Sequence, residues 1–205
     1  MFRMIVPRRV LRRLWLPVVL RVWPLARLWY RLWGLRLSGG PRDRVWYFAY
    51  GANMDESVLR ERRGIDPLEW RAGRLAGFRL RFNLDGRPLG RAAPANIEPA
   101  ENEEVWGVLY RISRRDMVRL NATEGVPGRR YTPVAVRTTD REGNTHDAFT
   151  LIAGGNKEDG APSRRYINLL RAGARAHGLP AHWTAKLDSV RPASEAAVSE
   201  GEERK

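Results

Sequence analysis

The side chains that could do chemistry in this chain are carboxylates and hydroxyls. Its 205 residues include no cysteine, which excludes disulfides, thiol nucleophiles and cysteine-ligated metals. The three histidines, His146, His177 and His182, do not have the spacing of metal ligands, and each is interpreted as a surface or loop residue. Any reaction would therefore rest on acidic groups, hydroxyl groups and the peptide backbone, and no metal site is predicted.

Backbone donors are expected in the stretch 45–54, Val-Trp-Tyr-Phe-Ala-Tyr-Gly-Ala-Asn-Met. Its first six residues are rich in aromatic and β-branched side chains, which predicts a buried strand. Gly51 ends the strand, and Asn53 and Asp55 are candidate caps of a helix over residues 56–63. A strand that turns into a helix N-terminus presents free N–H groups, which suit an anionic or carbonyl oxygen. A purely structural strand–turn–helix fits the local pattern as well.

Two further residues of interest lie on predicted helices. Ser113 and Asp116 form an approximate capping box that opens a short helix, and Glu124 lies at the end of that helix, before a glycine. From local context alone, such a carboxylate is typical of a solvated side chain. Tyr166 falls on the apolar face of a helix that follows Ser163, and its pattern alone indicates a core aromatic residue.

Three segments resemble the gamma-glutamylcyclotransferase family. The string Tyr-Phe-Ala-Tyr-Gly-Ala-Asn-Met at 47–54 looks like the signature loop of that family, with Ala52 where the family usually has serine. The triplet Glu-Gly-Val at 124–126, with Tyr131 seven residues after Glu124, resembles the segment of the family's catalytic glutamate. The Ser-x-x-Tyr pattern at 163–166 is similar to the position of a substrate-contacting tyrosine. The likeness covers residues 45–190.

This resemblance implies an enzyme that converts a gamma-glutamyl amino acid or dipeptide to 5-oxoproline and the free amine by intramolecular aminolysis. It implies that Glu124 is the general acid/base, that backbone N–H groups of residues 50–53 stabilise the oxyanion, and that no cofactor is needed. The substrate contacts that it implies are Tyr47, Phe48, Ala49, Tyr50, Gly51, Ala52, Asn53, Tyr131 and Tyr166.

The sequence leaves the substrate tail open. Within the same family, a gamma-glutamyl amine or a gamma-glutamyl-protected biosynthetic intermediate would serve as substrate equally well. The alternative from a different class is a non-catalytic binding module on the same scaffold. A cytoplasmic location is expected, with a membrane-peripheral one as the alternative, and a homodimer is left open because related enzymes include dimers.

The fold implied by the resemblance is α+β, a small mixed barrel-like sheet with helices packed outside. Alternating and apolar patterns predict strands over residues 74–83, 95–97, 104–112, 131–138 and 146–152. The last two are expected to pair through a glycine-containing hairpin loop at 140–144. A glycine-rich surface loop is predicted over 154–161, followed by a helix that ends near Gly178 and a short helix over 181–190.

The N-terminal segment differs in composition from the rest of the chain. Residues 1–40 hold nine arginines, four of the eight tryptophans and no acidic residue, so much of the net charge of +14 lies there. The mildly basic remainder has no arginine run interleaved with stacking aromatics, which argues against a nucleic-acid partner. The longest uncharged run, residues 14–20, is too short to span a bilayer.

Two interpretations of this segment remain. Residues 1–41 are either an interfacial arm, which would give peripheral membrane contact through residues 1–40, or the product of a start codon assigned too far upstream. The enzyme-like domain is predicted over residues 42–192, and the Ala-, Ser- and Glu-rich residues 193–205 are predicted to be a disordered tail.

Overall fold

The computed structural model describes residues 16–18, 21–32, 35–86, 92–156 and 158–193. The strands are β1 Arg44–Ala49, β2 Glu69–Arg81, β3 Asn96–Ser113, β4 Thr132–Asp140 and β5 Thr145–Ile152. The longer α-helices are α1 Trp23–Leu32, α2 Arg114–Glu124, α3 Arg164–Ala176 and α4 Ala181–Ser189. The five strands form a closed barrel in the order β1, β3, β2, β4, β5. The predicted α+β, barrel-like fold is therefore confirmed.

The aromatic strand β1 is paired along both of its edges. It runs antiparallel to β3, where Tyr47 lies opposite Tyr110, and parallel to β5, where Tyr47 lies opposite Phe149. The next two residues of β1, Phe48 and Ala49, are fully buried. This double pairing fixes the end of β1, where the chain turns at residue 51.

Two predicted strand boundaries are wrong. The sequence predicts separate strands over 95–97 and 104–112, whereas β3 is one strand of 18 residues. The polar residues 101–103 between the two predicted segments remain exposed, Asn102 has a φ of 60°, and the register with β2 shifts between Ala76 and Phe78. β2 begins five residues earlier than predicted because Glu69 pairs with Arg111 near the far end of β3.

The other predicted elements agree with the structure. β4 and β5 pair as the expected hairpin, from Thr132 opposite Ile152 to Thr139 opposite Thr145. Ser113 is the N-cap of α2, since its hydroxyl accepts a hydrogen bond from the Asp116 amide at 3.1 Å. Ser163 caps α3 in the same way, with its hydroxyl 3.2 Å from the amide of Tyr166.

The described part of the N-terminal segment packs against the domain. Tyr30 of α1 is 3% exposed, and its hydroxyl accepts a hydrogen bond from the side chain of Asn121 on α2 at 2.7 Å. Trp23 and Arg27 both donate to the carbonyl of Gly39 at 2.9 Å, which holds the following segment back against α1. None of the helices in the described ranges has the length and apolar character to cross a bilayer. The disordered tail predicted over 193–205 lies, apart from residue 193, outside the described residues.

Candidate active site around Glu124

The chain turns sharply after β1 and then forms the predicted helix. A short 3-10 turn spans Ala52–Met54, and residues 56–63 are helical, with a π-helical segment at Val58–Arg62. Asp55 acts as the cap, since its Oδ1 accepts a hydrogen bond from the Ser57 amide at 2.9 Å. Asn53, the other candidate cap, does not cap the helix. It is buried, and its side chain is directed to other groups.

Glu124 is the last residue of α2, and its carboxylate lies against the buried Asn53. Gly125 ends the helix in the left-handed region, at a φ of 82°, which a glycine adopts without strain. The Glu124 side chain is only 14% exposed, so the solvated position that local context indicates is wrong. Its Oε1 accepts a hydrogen bond from Asn53 Nδ2 at 2.8 Å and lies 2.7 Å from Arg63 Nη2. Within the described ranges, no hydrogen bond is made to the second oxygen, Oε2.

Arg63 is the site residue that the sequence did not reveal. Besides pairing with Glu124, its Nε lies 3.3 Å from Asn53 Oδ1, and its Nη1 lies 3.5 Å from the carbonyl of Thr123. The three side chains therefore contact one another in a closed triangle. An arginine in the last turn of a helix interacts favourably with the helix dipole. The position of Arg63 in the sequence therefore does not indicate a role in the site.

Tyrosine hydroxyls surround this triangle. The Tyr47 hydroxyl accepts a hydrogen bond from Asn53 Nδ2 at 3.0 Å, and burial, followed by the negative charge of Glu124, raises the pKa of Tyr47. Burial and then the charge of Glu124 raise the pKa of Tyr131 to about 12. Tyr50 donates to the carbonyl of Leu151 at 2.5 Å, which ties the turn after β1 to the end of β5. These hydroxyls are therefore neutral near pH 7.

Tyr166 lies directly on the turn after β1. Its hydroxyl accepts a hydrogen bond from the backbone N–H of Ala95 at 3.1 Å, and a Cβ atom added to Gly51 would lie 3.1 Å from it. The hydroxyl hydrogen of Tyr166 makes no hydrogen bond to any acceptor of the described residues. Burial raises the pKa of Tyr166, so this hydrogen is retained at neutral pH.

Comparisons with known proteins show which family the chain belongs to. The model of the AIG2-like family matches residues 104–187, which include Glu124 and Tyr166. A gamma-glutamylcyclotransferase of Bos taurus is 31% identical over 157 residues, which cover 71% of this chain and 78% of the relative. The chain belongs to the gamma-glutamylcyclotransferase family. A gamma-glutamylcyclotransferase of Mus musculus is also 31% identical, over 76% of this chain and 83% of the relative. The chain is accordingly an enzyme of this family.

A solved structure shows the same fold for this family. The structure titled gamma-glutamyl cyclotransferase superposes on this chain with a TM-score of 0.66 and 24% identity. The match covers 78% of this chain and 99% of that one. Because the covered part includes most of the described domain, the barrel and its helices are those of the gamma-glutamylcyclotransferase fold.

The remaining predicted substrate contacts differ in how far they are buried. Phe48 and Ala49 have no exposed surface, and a Cβ atom added to Gly107 would lie 3.0 Å from the Phe48 ring. These two residues therefore pack in the core. Gly51 and Ala52 are half-buried on the turn. No group of three acidic or histidine side chains in the described ranges is arranged to hold a metal ion.

Proposed function

We propose that this protein converts a gamma-glutamyl amino acid or dipeptide to 5-oxoproline and the free amine, with Glu124 as the general acid/base. The observation that carries the proposal is the asymmetric contact of the Glu124 carboxylate. Oε1 is held by Asn53 and Arg63, while no donor of the described residues occupies Oε2. One oxygen is thus fixed in place, and the other is available to accept and return a proton.

The reaction needs only positioning and one proton carrier. The α-amino nitrogen of the substrate attacks its own γ-carbonyl carbon, a C–N bond forms to close the five-membered ring, and the C–N bond to the leaving amine breaks. The attacking nitrogen must lose a proton, and the leaving nitrogen must gain one. Glu124 Oε2 would take the first proton and deliver the second, so that the carboxylate is regenerated at the end of the cycle. Ring closure is already favoured by proximity, and the protein must hold the folded conformer.

The developing oxyanion would be stabilised at the turn after β1. We propose that the Tyr166 hydroxyl hydrogen acts there together with the backbone N–H groups of Gly51, Ala52 and Asn53. This arrangement explains how a chain with alanine at position 52 can keep a working site. The donors are main-chain groups and a tyrosine, and none of them is the hydroxyl that a serine would supply.

The leaving amine distinguishes the candidate substrates. Gamma-glutamyl amino acids, gamma-glutamyl amines and a gamma-glutamyl-protected intermediate all present the same glutamyl part to Glu124. They differ in the group that would extend away from it, beyond the contacts described above. We propose the amino acid or dipeptide class, in line with the sequence resemblance, and the amine and protected intermediate are the alternatives within the same chemistry.

The test is an assay of the purified full-length chain with gamma-glutamyl amino acids, dipeptides and amines. The matched controls are the α-glutamyl isomers, in which attack on the γ-carbon would release no amine. We expect equal amounts of 5-oxoproline and amine from a gamma-linked compound and none from its α-linked isomer. Saturable binding by calorimetry, with no 5-oxoproline from any compound, would instead identify a binding module.

A further inference from the structure

The exposed apolar side chains of the structure are concentrated on α1 and the residues just before it. Two of the large exposed hydrophobic residues in the described ranges, Leu68 and Trp70, lie at the start of β2. The other five recur every three or four residues and are 36% to 74% exposed. We call these residues, on α1 and just before it, the outer face of α1; they are Val18, Val22, Leu25, Leu28 and Leu32.

The opposite side of α1 is attached to the domain. Ala26 and Tyr30 are buried, and Tyr30 packs with Val118 of α2. With 100° between successive helical residues, Leu25, Leu28 and Leu32 lie on the side of the helix away from Tyr30. The helix therefore has two apolar sides, of which one is packed and the other is turned to the outside. A surface helix of a soluble protein normally carries polar residues on that second side.

The charge around the outer face favours an anionic occupant. Arg21, Arg31 and Arg36 are exposed near it, and residues 1–40 contain nine arginines and no acidic residue to neutralise them. Trp29 is half-buried and packs against Tyr30 at the border of this face. An exposed leucine stripe flanked by arginines and tryptophan is the composition of helices that lie at a lipid headgroup layer.

We propose that the outer face of α1 binds the surface of membranes that contain anionic lipids. The leucine and valine side chains would enter the headgroup region, and the arginines would contact lipid phosphate and carboxylate groups. The helix would lie along the surface, because Tyr30 and Asn121 hold its other side on the domain. This proposal concerns a surface that takes no part in the chemistry at Glu124.

Vesicle flotation of the full-length chain tests this proposal. Vesicles of phosphatidylcholine alone are compared with vesicles that contain about one-third phosphatidylserine. We expect at least about tenfold more protein bound to the anionic vesicles, with the difference reduced as salt is raised. The variant Leu28→Ser with Leu32→Ser should lower binding about tenfold or more, while the matched variant Leu68→Ser should bind like the wild type.

A second pair of variants tests the charge. Arg21→Gln with Arg31→Gln should weaken binding to the anionic vesicles, and Arg141→Gln with Arg165→Gln, which removes two exposed arginines elsewhere, should not. Equal binding to neutral and anionic vesicles, no binding to either, or undiminished binding of the Leu28/Leu32 variant would each overturn the proposal. So would a lipid-free dimer that the Leu28/Leu32 variant converts to a monomer, because a second copy would then cover the outer face.

Discussion

Replacing Glu124 by glutamine separates the proton-transfer role of this residue from its structural role. The hydrogen bond from Asn53 Nδ2 and the ion pair with Arg63 Nη2 reach the same oxygen, Oε1. A glutamine carbonyl in that position keeps both contacts, and its NH₂ group takes the place of Oε2. Since an amide nitrogen cannot accept the proton of the attacking amine, we expect kcat to fall at least ~100-fold. That loss corresponds to about 2.7 kcal/mol of transition-state stabilisation.

The same change should have a smaller effect on stability. Two unit charges about 4 Å apart near a protein surface attract by about 4 kcal/mol before desolvation is considered. The Glu124 and Arg63 side chains are 14% and 21% exposed, and a glutamine still accepts the hydrogen bond from Asn53. The free energy of unfolding should therefore fall by about 1–2 kcal/mol. For a chain of this size, the melting temperature should then fall by about 2–8 °C.

The assay measures 5-oxoproline release and thermal unfolding on the same preparations. Glu142→Gln, which changes an exposed glutamate in the β4–β5 turn, is the matched control and should behave like the wild type in both. If folded Glu124→Gln releases 5-oxoproline at a near-normal rate, Glu124 is not the proton carrier and the reasoning from Oε2 is refuted. Inactivity that results from unfolding would be recognised by the melting temperature.

Three further perturbations test the surroundings of Glu124. Asn53→Ala removes the donor that Glu124 and Tyr47 share, so kcat should fall about tenfold through misplacement of the carboxylate, and unchanged kcat would contradict the proposed positioning. Tyr166→Phe leaves the N–H group of Ala95 without its acceptor, so unfolding should cost about 1–3 kcal/mol less, and KM should rise more than kcat falls in steady-state kinetics. Burial raises the pKa of every tyrosine in the chain, to about 12 for Tyr131, whereas an unfolded chain ionises its tyrosines near pH ~10. The part of the free energy of unfolding that depends on these protonated hydroxyls should be fully present below pH ~10 and should be lost as the pH rises toward ~12. Phenolate absorbance of the folded protein at pH ~10 would contradict this prediction.

The sequence predicted the elements whose signals are local. The strand before Gly51, the N-cap at Ser113 and the end of α2 after Glu124 all depend on residues within a few positions of one another, and all three are present. β3 was divided in error because the polar run at 101–103 has the composition of a loop. Its strand conformation depends on pairing with β2, which a local pattern does not contain.

The candidate site could be predicted only in part for the same reason. The resemblance pointed to Glu124 and to the turn at 51–53, but not to the way in which they contact each other. The sequence indicates Asn53 as a candidate helix cap and an implied substrate contact, and it does not single out Arg63. Their shared contact with Glu124, 71 positions from Asn53 in the sequence, appears only once the barrel has brought β1 and α2 together. The catalytic role of these residues stays a prediction until the variants are measured.

The parallel pairing of β1 with β5 has a consequence for synthesis on the ribosome. One edge of β1 can pair with β3 as soon as residue 113 has emerged, but its other edge stays open until β5 has been made. During that interval the nascent chain exposes an aromatic strand edge, which is prone to pair with other chains. The hydrogen bond from Tyr50 to Leu151 can form only after β5 has been synthesised. The turn that carries Asn53 is therefore among the last parts of the domain to become rigid. Polypeptides that terminate before residue 145 should therefore aggregate or require a chaperone, even though most of the proposed catalytic groups are already present in them.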